Sequence, residues 1–486
     1  MEDRNREVDL DSKIDMGKVH GHMDIVLTDV KTGEVEEIHE DNLITKAIRQ
    51  YFANCGFMNY PDINKSQIVE LLMGGIMCLD TALTEDSNIV HVPAGVEMVA
   101  NASQAYTSNV QNMEQGSYEA NDETHTYNGW QADGSYLHTY DWTTNQGNGT
   151  IACVCLAGRD YAWVGEGNAV SGLRHTTKTS MVSLPGSVTS FSGIPGYIFR
   201  INLSDSSCYS FSIESVTEDE ETVKKGFLRK YRLPLSKLNI KGTPSAPVKL
   251  SETEVTLDAD IKDALLFYQP LGNNLLLWNI QRDSAVWGDT WTQYLWTLTT
   301  SGTLSKQTVT NTTGESIHGL QAAHFDGNYC FFIDAYNLSS TSIYIDSTYV
   351  YIWNRSTNAM TKISNPYGSS RQEAWVSDWA NYVGSVGWHM LRGTGDGRIL
   401  TSGDYPVIVD AVKGKCYPNN ANTANLGNLY PTSSPLIRTT GLNLYRDQTY
   451  IASINNLQSP VVKTSEKTMK ITYRITFEEE NPSPPA

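Results

Sequence analysis

By residue type, Asp326, Asp334 and Asp346 are the side chains best suited to bond-breaking chemistry, because glycoside hydrolysis takes two carboxyl groups flanking the sugar bond. Their spacing along the chain does not place any two at catalytic distance, and turns and strand ends use aspartate routinely. Cys153 and Cys155 share one face of a strand with no histidine nearby, which makes them core thiols rather than metal ligands. The ten histidines are dispersed, apart from His20 and His22 on one strand face. "GTGDGRILTSGD", from Gly393 to Asp404, lacks the GK[ST] ending and the following helix of a phosphate cradle, so it reads as a glycine-rich hairpin turn whose acidic loop leaves an opening for calcium. No Ser-His-Asp or Cys-His arrangement stands out. The expectation is a protein without catalytic residues, metal or cofactor.

Aromatic side chains are the stronger lead. Trp287, Trp291, Trp296, Trp353, Trp375, Trp379 and Trp388 fall within about a hundred residues, and tryptophan offers flat, rigid area for stacking on sugars or anchoring a protein partner. Trp296 and Trp353 lie inside alternating strands and read as core. Trp375 and Trp379, in the polar "RQEAWVSDWANY", together with Trp287 and Trp291, are the candidate binding residues. "SAVWGDTW", Ser284 to Trp291, matches the Asp-box turn S-x-D-x-G-x-T-W of sialidase-like propellers at Ser284, Gly288, Thr290 and Trp291, with Val286 in place of the aspartate. That box is a structural turn and speaks for a fold more than for an activity.

The elements that position these residues are strands. Among 486 residues are 26 Tyr, 11 Trp and 37 Gly, a supply that suits pleated sheets and turns, and the length suits two or three domains. With 36 basic and 54 acidic residues the net charge is -18, which disfavours a nucleic-acid partner. The start "MEDRNREVDLDSK" has no secretory pattern, and the apolar run "IVELLMGGIMCL" is too short to span a bilayer, so no membrane anchor is expected. Seven scattered cysteines suggest free thiols from a reducing cytoplasm.

Along the chain, "MDIVLTDVKTGEVEEI" predicts a hairpin turning at Lys31-Thr32-Gly33. "DNLITKAIRQYFANCG" predicts a helix over about 43–55, capped by Asn42 and ended by Gly56. "GGIMCLDTAL", "HVPAGVEMVA" and "GTIACVCLAG" read as strands, and Gln104 to Asn148 reads as a long surface loop or an aromatic binding loop. Beyond Ser183, hairpin-like units open on Tyr197, Tyr294, Tyr349 and Tyr405, the last three spaced 55 and 56 residues apart, with "LSKLNIKGTPSAPVKL" from Leu235 where an intermediate copy would fall. A period near fifty with several strands per unit predicts a kelch-type β-propeller over 190–440, with room for about five blades, or alternatively a β-sandwich or hairpin array. The final "TMKITYRITFEEE" alternates, with Met469, Ile471, Tyr473, Ile475 and Phe477 on one face.

"IVLTDVKTGEVEEIHEDNLITKAI", "GGIMCLDTALTEDSNIVHVPAG", "GNGTIACVCLAG" and "YIASINNLQSPVVKTSEKTMKITYRITFEEE" resemble blocks of virion structural proteins (tail, baseplate or appendage components) of tailed bacteriophages infecting Firmicutes-type gut bacteria. The resemblance covers roughly the first 160 and last 45 residues and leaves the middle unmatched. It implies one discontinuous attachment frame, residues 1–185 and 445–486, to which the C-terminal strand returns, carrying a host-contact module over 190–440. It further implies assembly in the host cytoplasm, a place in the virion, homo-oligomers such as trimers, and partners among other virion proteins and a host-surface glycan or protein. A virion-borne glycan hydrolase or depolymerase, and a purely architectural collar, capsid-bound or baseplate protein, are the alternatives.

Overall fold

A computed structural model describes residues 19–46, 73–89, 92–104, 114–119, 127–157, 177–183, 194–202, 207–233, 247–280, 291–318, 324–339, 342–366, 371–375, 389–393, 395–402, 407–418, 436–437, 443–449 and 451–477, with Val69, 121–123, Asp205 and Val286. The fold is mainly β, built of antiparallel sheets, and among the described residues one short helix, Ala259–Asp263, is seen over its full length. The chain divides into two compact units, residues 1–178, 419–421 and 448–486 forming one and residues 179–418 and 422–447 the other.

The first unit, the frame, has two sheets around one core. One sheet runs Val35–Asp41, Val19–Asp29, Lys467–Phe477, Tyr136–Trp142, Ser117–Tyr118, with Gly129–Trp130 also on Tyr136–Trp142. The other runs Leu43–Ile44, Ser453–Lys463, Gly149–Ala157, Gly75–Leu79, Met98–Ser103. Met23, Ile25 and Leu27, Tyr136, Tyr140 and Trp142, and Met469, Ile471, Tyr473 and Ile475 form a single cluster with Ile76, Cys78, Ala100, Ile151, Val154 and Leu156 of the second sheet. Period-two alternation puts each of these sets on one face of its strand.

The last strand lies inside its sheet, in register with Val19–Asp29 on one side (Ile25↔Ile471, Met23↔Tyr473) and Tyr136–Trp142 on the other (Ile471↔Tyr140, Tyr473↔His138). Ser453–Lys463 and Lys467–Phe477, though joined by a three-residue turn, enter different sheets. The connection therefore crosses the core.

The turn after Val19–Asp29 forms where the sequence calls for it: Asp29 accepts hydrogen bonds from the backbone N–H groups of Lys31 and Thr32 (2.8 Å each), and Gly33 takes φ +73°. Two other expectations are corrected. Leu43 and Ile44 are strand, paired with Ile454 and Ser453, and Asn42 caps no helix. Its amide instead accepts from Gly21 N (2.7 Å) and donates to the Tyr473 hydroxyl, so local helical periodicity loses to a buried tertiary partner; residues 47–55 of the predicted helix lie outside the described residues. The expected loop 104–148 contains the strand Tyr136–Trp142, whose Tyr136, Tyr140 and Trp142 are 5% exposed or less, so these three aromatics are core.

Among the described residues, the second unit contains four consecutive antiparallel meanders, each open. They are Tyr197–Asn202, Ser207–Glu218, Glu221–Arg232, Val248–Val255; then Leu265–Leu271, Asn274–Ile280, Tyr294–Leu298, Leu304–Thr308; then His324–Asp326, Tyr329–Ser339, Ser342–Asn354, Ala359–Ser364; then His389–Gly393, Arg398–Ser402, Val407–Asp410, Lys415–Pro418. Arg371–Trp375 also pairs with Ser342–Asn354. Their cores form in sequence. Leu275 and Leu277 pack toward Phe199, Phe211 and Leu228 of the first sheet, while Leu276 and Trp278 pack toward Phe332, Tyr351 and Trp353 of the third. On the third sheet, Phe331 and Ile333 turn to Ile399, Val407 and Val409 of the fourth. Inner sheets are thus buried on both faces, which is why "NLLLWNI" and "YCFFID" read as unbroken apolar runs.

The hairpins near Tyr294, Tyr349 and Tyr405 are the third and fourth strands of the last three sheets, and the repeat extends to side chains. Lys306 lies over the Tyr294 ring (3.9 Å) and pairs with Asp260; Lys362 lies over the Tyr349 ring (4.7 Å) and pairs with Glu315. The Tyr197 hairpin is instead the first two strands of its sheet, so it is out of phase with the others. An aromatic-led hairpin looks alike at either position. Of the segment from Leu235, residues 235–246 lie outside the described residues, and its end opens the fourth strand Val248–Val255. A further sheet joins Thr177–Ser183, which precedes the first meander, to Asn443–Thr449 and Leu436–Ile437, which follow the last.

Two stability predictions follow from the frame's core. Tyr473, fully buried, accepts from Asn42 and lies 2.9 Å from Ser453 Oγ and 3.1 Å from Asn455 Oδ1, linking both sheets. Tyr473→Phe should destabilise the frame by about 1–3 kcal/mol in chemical denaturation, since it strands buried polar partners; an unchanged midpoint would refute that linkage. His138, beside Tyr473 and among Tyr118, Tyr136 and Tyr140, is held by burial down to about 3. The unfolded chain then binds more protons between about pH 6.5 and 3, so His138 makes the frame lose stability as pH falls through that window, by at most about 1.4 kcal/mol per pH unit. His138→Phe should show a smaller drop in melting temperature from pH 7 to 4 than the parent, and parallel curves would contradict this assignment.

Candidate functional site

The structure places two of the four candidate tryptophans. Trp291 is half-buried against the core shared by the second and third meanders, and Trp375 ends the strand Arg371–Trp375 opposite Ser342. Trp287 and Trp379 lie outside the described residues, as does most of the Ser284–Trp291 turn. Trp296 and Trp353 are fully buried, as strand residues facing neighbouring sheets should be. Tyr294 and Tyr349 carry lysines on their faces and are occupied in that sense. Among the described residues, the large exposed aromatic is Trp130 on the frame, 40% exposed, edge-on to Tyr136. Sequence reasoning passed over it because "YNGWQADG" reads as turn.

The aspartates considered for hydrolysis are tied into structure. Both Asp326 oxygens accept from Gly395 N (2.9 and 3.1 Å), and Oδ2 also accepts from Gly397 N (2.8 Å). Gly395 and Gly397 adopt φ of +88° and +120°, which only glycine takes easily, and a Cβ on Gly397 would come within 2.6 Å of the Tyr329 ring. The "GTGDG" loop is thus a nest of backbone N–H groups, and the anion it holds is a carboxylate of the neighbouring sheet. Burial pushes Asp326 up to about 6, while backbone N–H groups of Gly397, Gly395 and Arg398 oppose that rise. Asp334 accepts from His318 N (2.8 Å) and faces its Nδ1 (2.9 Å). Asp346 is the cross-strand partner of Asp334. Arg398 and Asp410 form a buried ion pair (2.6 Å) within the fourth meander.

In the frame, Lys463 is 1% exposed; its ammonium donates to Thr143 O (2.8 Å) and Asn148 Oδ1 (2.9 Å), and burial pushes it down to about 8. Cys153 and Cys155 are buried on one strand face with sulfurs 3.7 Å apart. No helix among the described residues is long and apolar enough to cross a membrane.

Among the described residues, one set of side chains able to bind a metal converges at the surface. His22, Asp24 and His39 offer ligand atoms within 4.8 Å of one another on the paired strands Val19–Asp29 and Val35–Asp41. Asp24 Oδ1 lies 2.6 Å from His39 Nδ1 and 3.2 Å from His22 Nε2, and the rings stack nearly parallel, 9° apart. The carboxylate of Asp41, 3.0 Å from His22 Nδ1, raises the His22 pKa above the usual histidine range. His22 was visible in the sequence beside His20. Its partners Asp24 and His39 come from hairpin register, in which Asp24 faces His39 and His22 faces Asp41.

No protein-family model matches the chain, and no curated protein does. The fold and site therefore define it by architecture: a two-sheet frame closed by both terminal segments, with an inserted unit of stacked four-stranded meanders.

Asp326→Asn would turn an amide NH2 toward backbone donors and lose at least one of the three hydrogen bonds. It should destabilise the second unit by about 1–3 kcal/mol. Denaturation followed through the buried tryptophans Trp278 and Trp353 reads this directly, and a wild-type midpoint would show that the nest does not depend on the charge.

Proposed function

We propose that this chain is a non-enzymatic structural component of a tailed-bacteriophage virion, of the tail, baseplate or appendage kind, in which the frame docks to other virion proteins and the inserted unit contacts the host surface. The observation that carries the reading is how the second unit is inserted. The chain leaves the frame after Gly149–Ala157 and re-enters at Ser453–Lys463, and these are neighbouring antiparallel strands, with Ala157 bridged to Ile451 and Ala452 N bonded to Leu156 O (2.7 Å). About 290 residues thus stand where a hairpin loop would, so the frame can keep its docking surface whatever the insertion carries.

The inserted unit is read as a kelch-type propeller, with the four meanders as blades and the sheet joining 177–183 to 443–449 as the closure between its two ends. Consecutive cores and a four-stranded meander in each sheet, the third with Arg371–Trp375 added, support that reading. Recognition of a surface glycan or protein would use tryptophan and tyrosine stacking with Asn, Asp and Thr hydrogen bonds, Trp375, Trp379, Trp287 and Trp291 being the proposed contacts. Homo-oligomers, trimers in the fibre and tail-tip manner, would multiply weak single contacts.

Antibodies to the purified full chain should label tails or appendages of intact particles, and the purified chain should bind host cells, compete with particle adsorption and leave the surface polysaccharide at its original length. Label on the capsid, or shortening of the polysaccharide, would replace this reading with the architectural or the depolymerase one.

A further inference from the structure

We infer that His22, Asp24 and His39 form a surface site for a divalent transition-metal ion of the zinc class, held by two imidazole nitrogens and one carboxylate with water in the remaining positions. The inference is independent of the virion reading. Two nitrogens and one oxygen make a borderline donor set that suits zinc, cobalt or nickel better than the all-oxygen shells of calcium or magnesium.

The geometry is close to what such an ion needs. A tetrahedral ion about 2.0–2.1 Å from each ligand spaces them about 3.3 Å apart. His22 Nε2 and Asp24 Oδ1 stand at 3.2 Å, His39 Nδ1 must move back from 2.6 Å, and the two histidine nitrogens, within 4.8 Å of each other, must close on the same ion by side-chain rotation. All three side chains are partly open to solvent, at 45%, 37% and 59% exposure, so an ion has an entry path and room for water.

The groups behind the ligands support the assignment. Metal-bound histidines commonly donate their other ring nitrogen to a carboxylate, which fixes the tautomer and raises ligand basicity. Here His22 Nδ1 meets Asp41 Oδ1 at 3.0 Å, which directs the Nε2 lone pair to the Asp24 side, and His39 Nε2 lies 4.0 Å from Glu37 Oε2. Each histidine therefore has one nitrogen toward the shared centre and the other toward its own carboxylate. Arg474, the cross-strand partner of His22, is engaged by Asp133 Oδ2 (2.8 Å) and Ser135 Oγ (2.8 Å).

The site is fixed by the sheet and not by a flexible loop. Strand alternation puts residues 22 and 24 on the outward face while Met23 and Ile25 are fully buried, and the pairing of Asp24 with His39 brings the third ligand across.

Chelator-treated full-length protein titrated with Zn2+ in a calorimeter should show one saturable site per chain, and Co2+ in its place should give visible d–d absorption. The double variant H22A/H39A, changed only at exposed positions, should melt like the parent without metal and lose both the saturable site and the cobalt bands. Asp41→Asn keeps every ligand and should weaken zinc binding about 10-fold, the lower end of what loss of such an outer carboxylate costs. Absence of a saturable site in the parent, or binding by H22A/H39A equal to the parent, would overturn the inference; unchanged affinity in Asp41→Asn would remove Asp41 from it.

Discussion

The frame depends on one placement: its last strand, Lys467–Phe477, lies between Val19–Asp29 and Tyr136–Trp142. Met469, Ile471, Tyr473 and Ile475, each 1% exposed or less, fill the middle of the core. At about 1.5–3 kcal/mol for each large apolar side chain removed from water, this strand carries a sizeable share of the frame's stability. Until it arrives, Val19–Asp29 and Tyr136–Trp142 have nothing between them, and the core has no centre. Pairings such as Ile25 with Ile471 span most of the sequence, so closure of the frame costs a large loop entropy unless the insertion folds first.

That order makes sense of the insertion point. The meanders of the second unit are local: each strand pairs with its sequence neighbour, and each core joins a sheet to the next one along the chain. Such a unit can fold as it is made. The strands Thr177–Ser183 and Asn443–Thr449, which pair, then bring its two ends together. A long gap becomes a short one, and Ser453–Lys463 is delivered beside Gly149–Ala157. The turn at 464–466 then sends the final strand across to the other sheet.

Legibility in the sequence followed how local the cause was. The terminal strand, the hairpin at Lys31-Thr32-Gly33 and the strand Gly149–Ala157 were readable because alternation and turn chemistry are local properties. The helix proposed at 43–55 failed at Leu43 and Ile44 because Asn42 answers to Tyr473, more than four hundred residues away. Tyr136–Trp142 was missed because Tyr-x-His-x-Tyr-x-Trp is an alternation of amphipathic rings, which a search for aliphatic residues treats as polar. The phase of the repeats was half readable: a 55-residue spacing showed in the sequence, whereas the position of a hairpin within its sheet did not. Of the metal-binding group, His22 drew notice and His39 did not, although the predicted turn already fixed the register that puts Asp24 opposite His39.

The two units also bury polar groups by opposite means, and the contrast bears on what each can tolerate. In the frame, buried polar side chains join segments far apart in sequence: Asn42 links Gly21 of Val19–Asp29 to Tyr473 of Lys467–Phe477, and Tyr473 meets Ser453 and Asn455 of Ser453–Lys463, so three strands are tied together. Loss of one such partner leaves others unsatisfied in a closed core, so the frame resists change there. In the second unit the comparable contacts join adjacent sheets one at a time, Asp326 with the Gly395–Gly397 loop and Gln269 with Phe325, whose carbonyl and N–H it bonds at 2.7 and 2.8 Å. A substitution there disturbs one seam. A unit built of separable seams can accept a change at one of them without disturbing the rest, whereas the frame, whose bonds join segments from far apart in the sequence, couples a change at one point to several strands.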